Sequence, residues 1–270
     1  MNNRHLHPAL TMAKTPSMSA ITEAFELMQR GDLAGAETKI AAILARAPDD
    51  PDALHVMAGI HHAKGDLPGA AAFFERAHQA SPYDAEIAFN RAVILSMLAR
   101  HAETIEACAA FLNLRPGDPE ALLMQGVALQ ALQQHEAALA AFDQTYEHRA
   151  DVHARRAASL LALHRTEDAL TAAARACGID PNNPDAHYHR GAAFARLELW
   201  REAVEAFDAA LKLAPKQVAI RAARAPALAR LSRFDEALAD IDAVLARAPD
   251  RAEYQTRRAE ILAARAADKP

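Results

Sequence analysis

The stretch GDLPGAAAFFERAHQASPYD at residues 65–84 and the stretch LWREAVEAFDAALKLAPKQ at residues 199–217 share one layout. In each, a small residue is followed four positions later by a phenylalanine, Ala70 by Phe74 and Ala203 by Phe207, and a proline closes the pattern at Pro82 and Pro215. Residues four apart lie on the same side of an α-helix. Each stretch therefore predicts a helix with a small-then-large packing face, stopped where proline removes a backbone donor.

Outward from these two stretches the same marks recur in phase. Prolines stand at Pro48, Pro82, Pro116, Pro181, Pro215 and Pro249, spaced 34, 34, 65, 34 and 34 residues apart. Twelve residues before them runs a small-residue ladder, Ala36, Ala70, Thr104, Ala169, Ala203 and Ala237, with Ala138 filling the gap. Twelve residues earlier again lie Ala24, Ala58, Ala92, Gly126, Ala157, Gly191 and Ala225. A fixed period of this size is the mark of a stacked repeat architecture. The units read as 17–50, 51–84, 85–118, 119–149, 150–183, 184–217 and 218–251.

Composition agrees. Of 270 residues, 69 are alanine, whereas valine, isoleucine and threonine together supply 27, which favours helix over sheet. An apolar content of 51% excludes a wholly disordered chain. No run of about 18 apolar residues predicts a membrane span, and MNNRHLHPALTMAKTPS at the N-terminus has no signal-peptide core. Two cysteines, Cys108 and Cys177, make no disulfide framework, so the reading is a cytoplasmic protein. Residues 1–135 carry 15 acidic and 10 basic side chains and residues 136–270 carry 20 of each, too little positive excess for nucleic-acid binding.

The units at 65–84 and 199–217 resemble the second helix and terminal proline of the tetratricopeptide repeat family, and the resemblance extends over residues 17–266. It implies an all-α, right-handed solenoid of seven antiparallel helix pairs, with a concave groove lined by the first helix of each pair. It also implies a module that binds proteins or peptides.

Packing logic supports the same register. Small residues let paired helices approach, while Leu27, Leu95, Leu129, Leu160, Phe194 and Leu228, with Phe74, Phe142, Phe207 and Ile241, fill the space around them. Residues 252–266, AEYQTRRAEILAARA, read as a polar capping helix, because one exposed end of a stacked array needs a cover. Residues 1–16 are expected to be a flexible arm and 267–270 a short tail. The fourth unit ends TYEHRAD, three residues short and without proline, which predicts a tighter turn into the fifth. Pro226 inside a first helix predicts a kink.

Catalytic signatures are missing. There is no CxxC, HExxH, nucleophile elbow or glycine-rich phosphate loop. Thirteen histidines invite a metal reading, but His187 and His189 fall on different helix sides, His61 falls at a packing position, and His55 and His62 lack a third ligand. No metal, cofactor or catalytic residue is assigned. Carboxylate pairs such as Asp49–Asp50 and Glu167–Asp168 suit turns and helix starts.

An arginine ladder recurs every 34 residues at Arg156, Arg190, Arg224 and Arg258, with Arg91 in the same unit position. A ligand-binding stripe is one explanation. Pairing across repeat junctions is favoured: Arg91 with Glu75, Arg156 with Asp143, Arg224 with Asp208 and Arg258 with Asp242. Arg190 meets Ala174 instead and needs another partner.

By the resemblance, groove residues fall at unit positions 2, 5, 6, 9, 12 and 13. The partner-binding set is Phe89, Asn90, Val93, Met97, Leu123, Met124 and Val127, with His55, His62 and Tyr188. The Lys, Asn and Arg set of a chaperone-tail carboxylate clamp is absent. Only Asn90 fits the asparagine ladder of an O-linked N-acetylglucosamine transferase groove. The remaining apolar stripe, flanked by Glu86 and Glu120, suits an apolar or amphipathic protein segment with basic flanks. The alternative is an acceptor-recruiting domain of a larger bacterial enzyme, such as a flagellin glycosyltransferase or a sulfotransferase.

Overall fold

The computed structural model describes residues 16–145 and 148–268. These residues form fifteen α-helices and no strand. They fall into two compact units that meet in sequence between Gln133 and Gln134. The first holds α1 (Pro16–Gln29), α2 (Leu33–Leu44), α3 (Pro51–Ala63), α4 (Leu67–Ala80), α5 (Ala85–Met97), α6 (His101–Leu114) and α7 (Pro119–Ala131). The second holds α8 (His135–Phe142), α9 (Ala150–Ala162), α10 (Thr166–Ile179), α11 (Pro184–Arg196), α12 (Trp200–Leu213), α13 (Val218–Arg230), α14 (Phe234–Leu245) and α15 (Ala252–Ala267). The helices pack in sequence-adjacent pairs: α1/α2, α3/α4 and α5/α6 in the first unit, α9/α10, α11/α12 and α13/α14 in the second. The unit boundary falls inside the expected fourth pair, so α7 and α8 belong to different units.

Local chemistry sets the helix ends. Pro51, Pro119 and Pro184 open α3, α7 and α11 at the first helical position, where a missing N–H costs nothing. Just before each stands a capping residue, Asp50, Asp118 or Asn183, whose side chain accepts from a first-turn backbone N–H. Within the helix pairs the turn passes through a left-handed residue at one fixed unit position. It is Gly31 or Gly65 in the first two units, but Ala99, Gln133, His164, Glu198 and Ser232 in the others.

The ladders form the core. Phe74, Phe142, Phe207 and Ile241 are 2%, 1%, 0% and 0% exposed, and Leu228, Leu95 and Leu160 are buried. Leu27 and Phe194 are half-buried and pack against the clusters around Ile40 and Phe207. In α15 only Ile261 is fully buried, as a polar cap requires. Of the expected arm, residues 1–15 lie outside the described residues and Pro16 opens α1; of the expected tail, Ala267 closes α15 and residues 269–270 lie outside.

Two departures are visible in the elements themselves. α8 has 8 residues, where α4, α6, α10 and α12 have 14. α13 continues as helix through Pro226 to Arg230. The carbonyl that Pro226 leaves without its helical donor, that of Ala222, accepts from Arg257 Nη1 at 3.5 Å.

All four predicted arginine pairs form. Arg91 Nε donates to Glu75 at 2.7 Å, Arg156 Nη2 meets Asp143 at 2.8 Å, and Arg258 Nε donates to Asp242 at 2.6 Å. Arg224 Nη1 donates to Asp208. Arg190, whose counterpart is Ala174, lies over the Phe194 ring at 5.4 Å.

Candidate functional site

Nine of the ten predicted groove residues lie on α3, α5 and α7 of the first unit, and Tyr188 lies on α11 of the second. On α5, Phe89, Val93 and Met97 recur every four residues and so share one face. Met97 is 53% exposed, while Phe89 and Val93 are half-buried. Leu123, Met124 and Val127 on α7 are half-buried as well.

This stripe is partly core. The Phe89 ring stands 5.0 Å from that of Phe111 and packs on the cluster of Ala88, Phe111 and Ala121. Met124 packs against the cluster around Ala92, Ile94 and Leu95. Asn90 is only 7% exposed, and its amide lies 3.0 Å from His55 Nε2, tying α5 to α3. His55 also stacks obliquely on Phe74 at 5.5 Å. Burial pushes the His55 pKa below its usual value, so at neutral pH the ring is uncharged and Nε2 can accept the Asn90 N–H.

His62 is half-buried on α3. His61 is not fully buried: its Nδ1 lies 2.7 Å from Asp66 Oδ2, at the start of α4, and its ring faces Phe73 at 4.9 Å. The helix start, with its charged cap, draws the imidazole outward.

The acidic rim is unequal. Glu86, at the start of α5, is half-buried, and its pKa is raised by burial first, then by the charges of Asp84 and Asp52. Asp52 at the start of α3 is raised by burial, then by Asp50 and Asp84. Glu120 is exposed. A half-buried carboxylate among like charges is a poor place for a negative charge and a good place for an arriving cation.

The second unit presents different chemistry. Tyr188 is half-buried, with its ring 5.1 Å from His189 and 6.0 Å from Phe207, and burial raises its pKa. Arg196, at position 13 of the sixth repeat, donates from Nη1 to the carbonyl of Leu161, and Arg230, at the same position of the seventh, lies over the Trp200 ring at 5.0 Å. His187 and His189 do diverge: His187 Nδ1 is 3.7 Å from Cys177 Sγ and its Nε2 2.9 Å from the Pro181 carbonyl. Cys108 is buried and its thiol is pushed up to about 12. Among the described residues, no three His, Cys, Asp or Glu side chains stand together as metal ligands, and no helix is long and apolar enough to cross a membrane.

Paired helices of fixed period, closed by proline in every repeat but the fourth, define a tandem helical-repeat scaffold. Tetratricopeptide repeat models match residues 22–85, 123–184 and 184–217, and the chain belongs to the tetratricopeptide repeat family. Solved structures of similar fold include MamA, 22% identical, with a TM-score of 0.56 over 59% of this chain and 95% of that one. YrrB, described as a tetratricopeptide repeat protein with an unusual peptide-binding site, is 19% identical, with a TM-score of 0.58 over 68% of this chain and 97% of its own. A tetratricopeptide repeat protein from Parabacteroides merdae is 15% identical, with a TM-score of 0.63 over 91% of this chain and 98% of that one. No curated protein matches the chain.

Proposed function

We propose that the first unit captures a segment of a partner protein along the face presented by α3, α5 and α7, and that the protein works as an adaptor. The segment lays apolar side chains against Phe89, Val93, Met97, Leu123, Met124 and Val127 and sets a lysine or arginine beside Glu86. The observation that carries this reading is Met97, an apolar side chain left 53% exposed beside half-buried neighbours on two first helices. Folding gains nothing from holding an apolar group in water, and a flexible thioether adapts to varied partners. Glu86 supports the basic flank, since a cation beside it would relieve the repulsion from Asp84 and Asp52. The peptide-binding site named for YrrB supports the use of this fold for segment capture.

Because Phe89 also packs on Phe111, Phe89→Ala would mix a folding loss with a binding loss. Met97→Asp is the cleaner test. Partners captured from lysate by the wild-type chain are assayed for affinity against Met97→Asp and Glu86→Gln, at low and high salt. Met97→Asp should lose about 30-fold in affinity, the scale of a central anchor. Glu86→Gln should lose less, and its loss should vanish at high salt. A partner bound equally by Met97→Asp would move the site off this face.

A further inference from the structure

The first helices of the seven repeats end on Gln29, Ala63, Met97, Ala131 and Ala162, and then on Arg196 and Arg230. Only the sixth and seventh repeats place a charge there, and both arginines are exposed. A cation at a helix C-terminus suits the helix dipole, yet the other five helices end without one. A second irregularity lies beside these two. The residue just before each second helix is polar at Asp32, Asp66, Arg100, Gln134, Arg165 and Arg233, but before α12 it is Leu199, 41% exposed. Next to it stands Trp200, the only tryptophan of the chain. Its ring is half-buried against the cluster around Phe207 and lies under the Arg230 guanidinium at 5.0 Å.

Both irregularities fall on one edge of the second unit, where α11 turns into α12 and where α13 ends. Among the described residues neither arginine meets a carboxylate: Arg196 donates to the Leu161 carbonyl, and Arg230 stacks on a ring. A neutral acceptor and a neutral ring leave both positive charges without an opposite charge. The carboxylates nearest in sequence, Glu198 in the turn and Glu202 in the first turn of α12, are exposed and pair with neither. Tryptophan and arginine are the side chains on which protein contacts most depend. The guanidinium fork matches a carboxylate, and an exposed leucine gains from being covered. We propose that this edge docks a partner protein segment in which acidic side chains stand beside an apolar one. The carboxylates take Arg196 and Arg230, and the apolar side chain covers Leu199 and Trp200. A basic or wholly apolar segment would leave both guanidinium groups unmatched. The contact shares no residue with the face proposed on α3, α5 and α7, and its charge preference is opposite to the one that Glu86 sets there.

Short random peptides displayed on phage are selected against the full chain. The acidic peptides recovered are made with a fluorescein label and titrated by anisotropy, and with no label by the emission of Trp200. Aspartate and glutamate beside leucine, isoleucine or phenylalanine are expected, with a change in Trp200 emission that places the peptide at this edge. Arg196→Gln and Arg230→Gln should each weaken binding roughly tenfold at low salt, and the loss should shrink as salt screens it. Leu199→Ser, which gives α12 a better cap and so does not act by unfolding it, should weaken binding roughly fivefold. Lys212→Gln removes an exposed charge at the far end of α12 and should leave affinity unchanged. Met97→Asp should leave it unchanged too, which separates this contact from the first-unit face. Acidic peptides that lose affinity with all three edge substitutions support the site. A selection without acidic peptides, acidic peptides indifferent to Arg196→Gln and Arg230→Gln, or an unmoved Trp200 emission overturns it.

Discussion

Arg224 grips Asp240 with two hydrogen bonds, Nε to Oδ2 at 2.7 Å and Nη2 to Oδ1 at 2.8 Å. Asp240 is 1% exposed, and Arg221 Nη1 reaches the same carboxylate at 3.2 Å. The remaining nitrogen of Arg224 goes to Asp208, so one guanidinium joins α12, α13 and α14. Removing one partner strands a buried charge. Arg224→Gln should therefore lower unfolding stability by about 3–5 kcal/mol, measured by urea denaturation. Replacing both partners, Arg224→Met with Asp240→Leu, should cost clearly less than the sum of the single changes. Additive losses would mean that the pair is not the unit of stability.

Gly191 shows how close the two helices of a pair come. A Cβ built there would lie 2.7 Å from Phe207 Cδ1 and 2.8 Å from Cε1. Gly191→Ala should cost about 1–3 kcal/mol through overpacking, despite the better helix propensity of alanine. Ala203→Leu, at a position 0% exposed in α12, should cost a similar amount. Gly59 is the control: its Cβ would meet only Met28 Cε at 3.7 Å, so Gly59→Ala should stabilise by about 0.5–1 kcal/mol. Thermal unfolding of the three variants separates these signs.

The repeat was readable because its signals are periodic and local: a small residue, a ring four positions on, a proline. The same phase put Gly191 among the small positions and Phe207 among the large ones, and paired Arg224 with Asp208. It could not find Asp240, which occurs in one unit only and is recognised as a buried charge only when α13 and α14 pack. Nor could it foresee the division at Gln133 and Gln134, since periodicity shows that units recur and is silent on where an array divides. The groove residues were named by unit position. Whether such a side chain faces water or core depends on its neighbours, which is why Asn90 ends buried on His55 while Met97 stays open.

Ala99 at φ 55° occupies the left-handed position that Gly65 holds at φ 79° one unit earlier. An L-residue with a Cβ is strained there, by about 1–2 kcal/mol, whereas glycine is not. Ala99→Gly should raise stability by about 0.5–1 kcal/mol once the extra freedom of the unfolded chain is counted. The exposed Ala72 inside α4 gives the opposite sign, with Ala72→Gly costing about 1 kcal/mol. Equal effects at both sites would show that the turn does not hold its left-handed geometry in solution.

His189 sets a pH dependence in the second unit. Burial, opposed by Asp185 and aided by Arg155, pushes its pKa down from 6.5 to about 4. Above the unfolded value of about 6.5 the ring is neutral in both states and stability is at its full level. As pH falls below it, the unfolded chain takes up a proton that the folded chain refuses, so stability falls with pH until about 4 and this contribution then levels off. The loss should be on the order of 2–3 kcal/mol. His189→Gln removes the titration. The difference in urea-derived stability between the two chains should therefore shift in favour of the variant between pH 7 and pH 4. Paired carboxylates such as Glu23 and Asp66, whose pKa values are lowered, also weaken folding at low pH, but equally in both chains. A constant difference across this range would mean that the His189 ring is solvated in the folded protein.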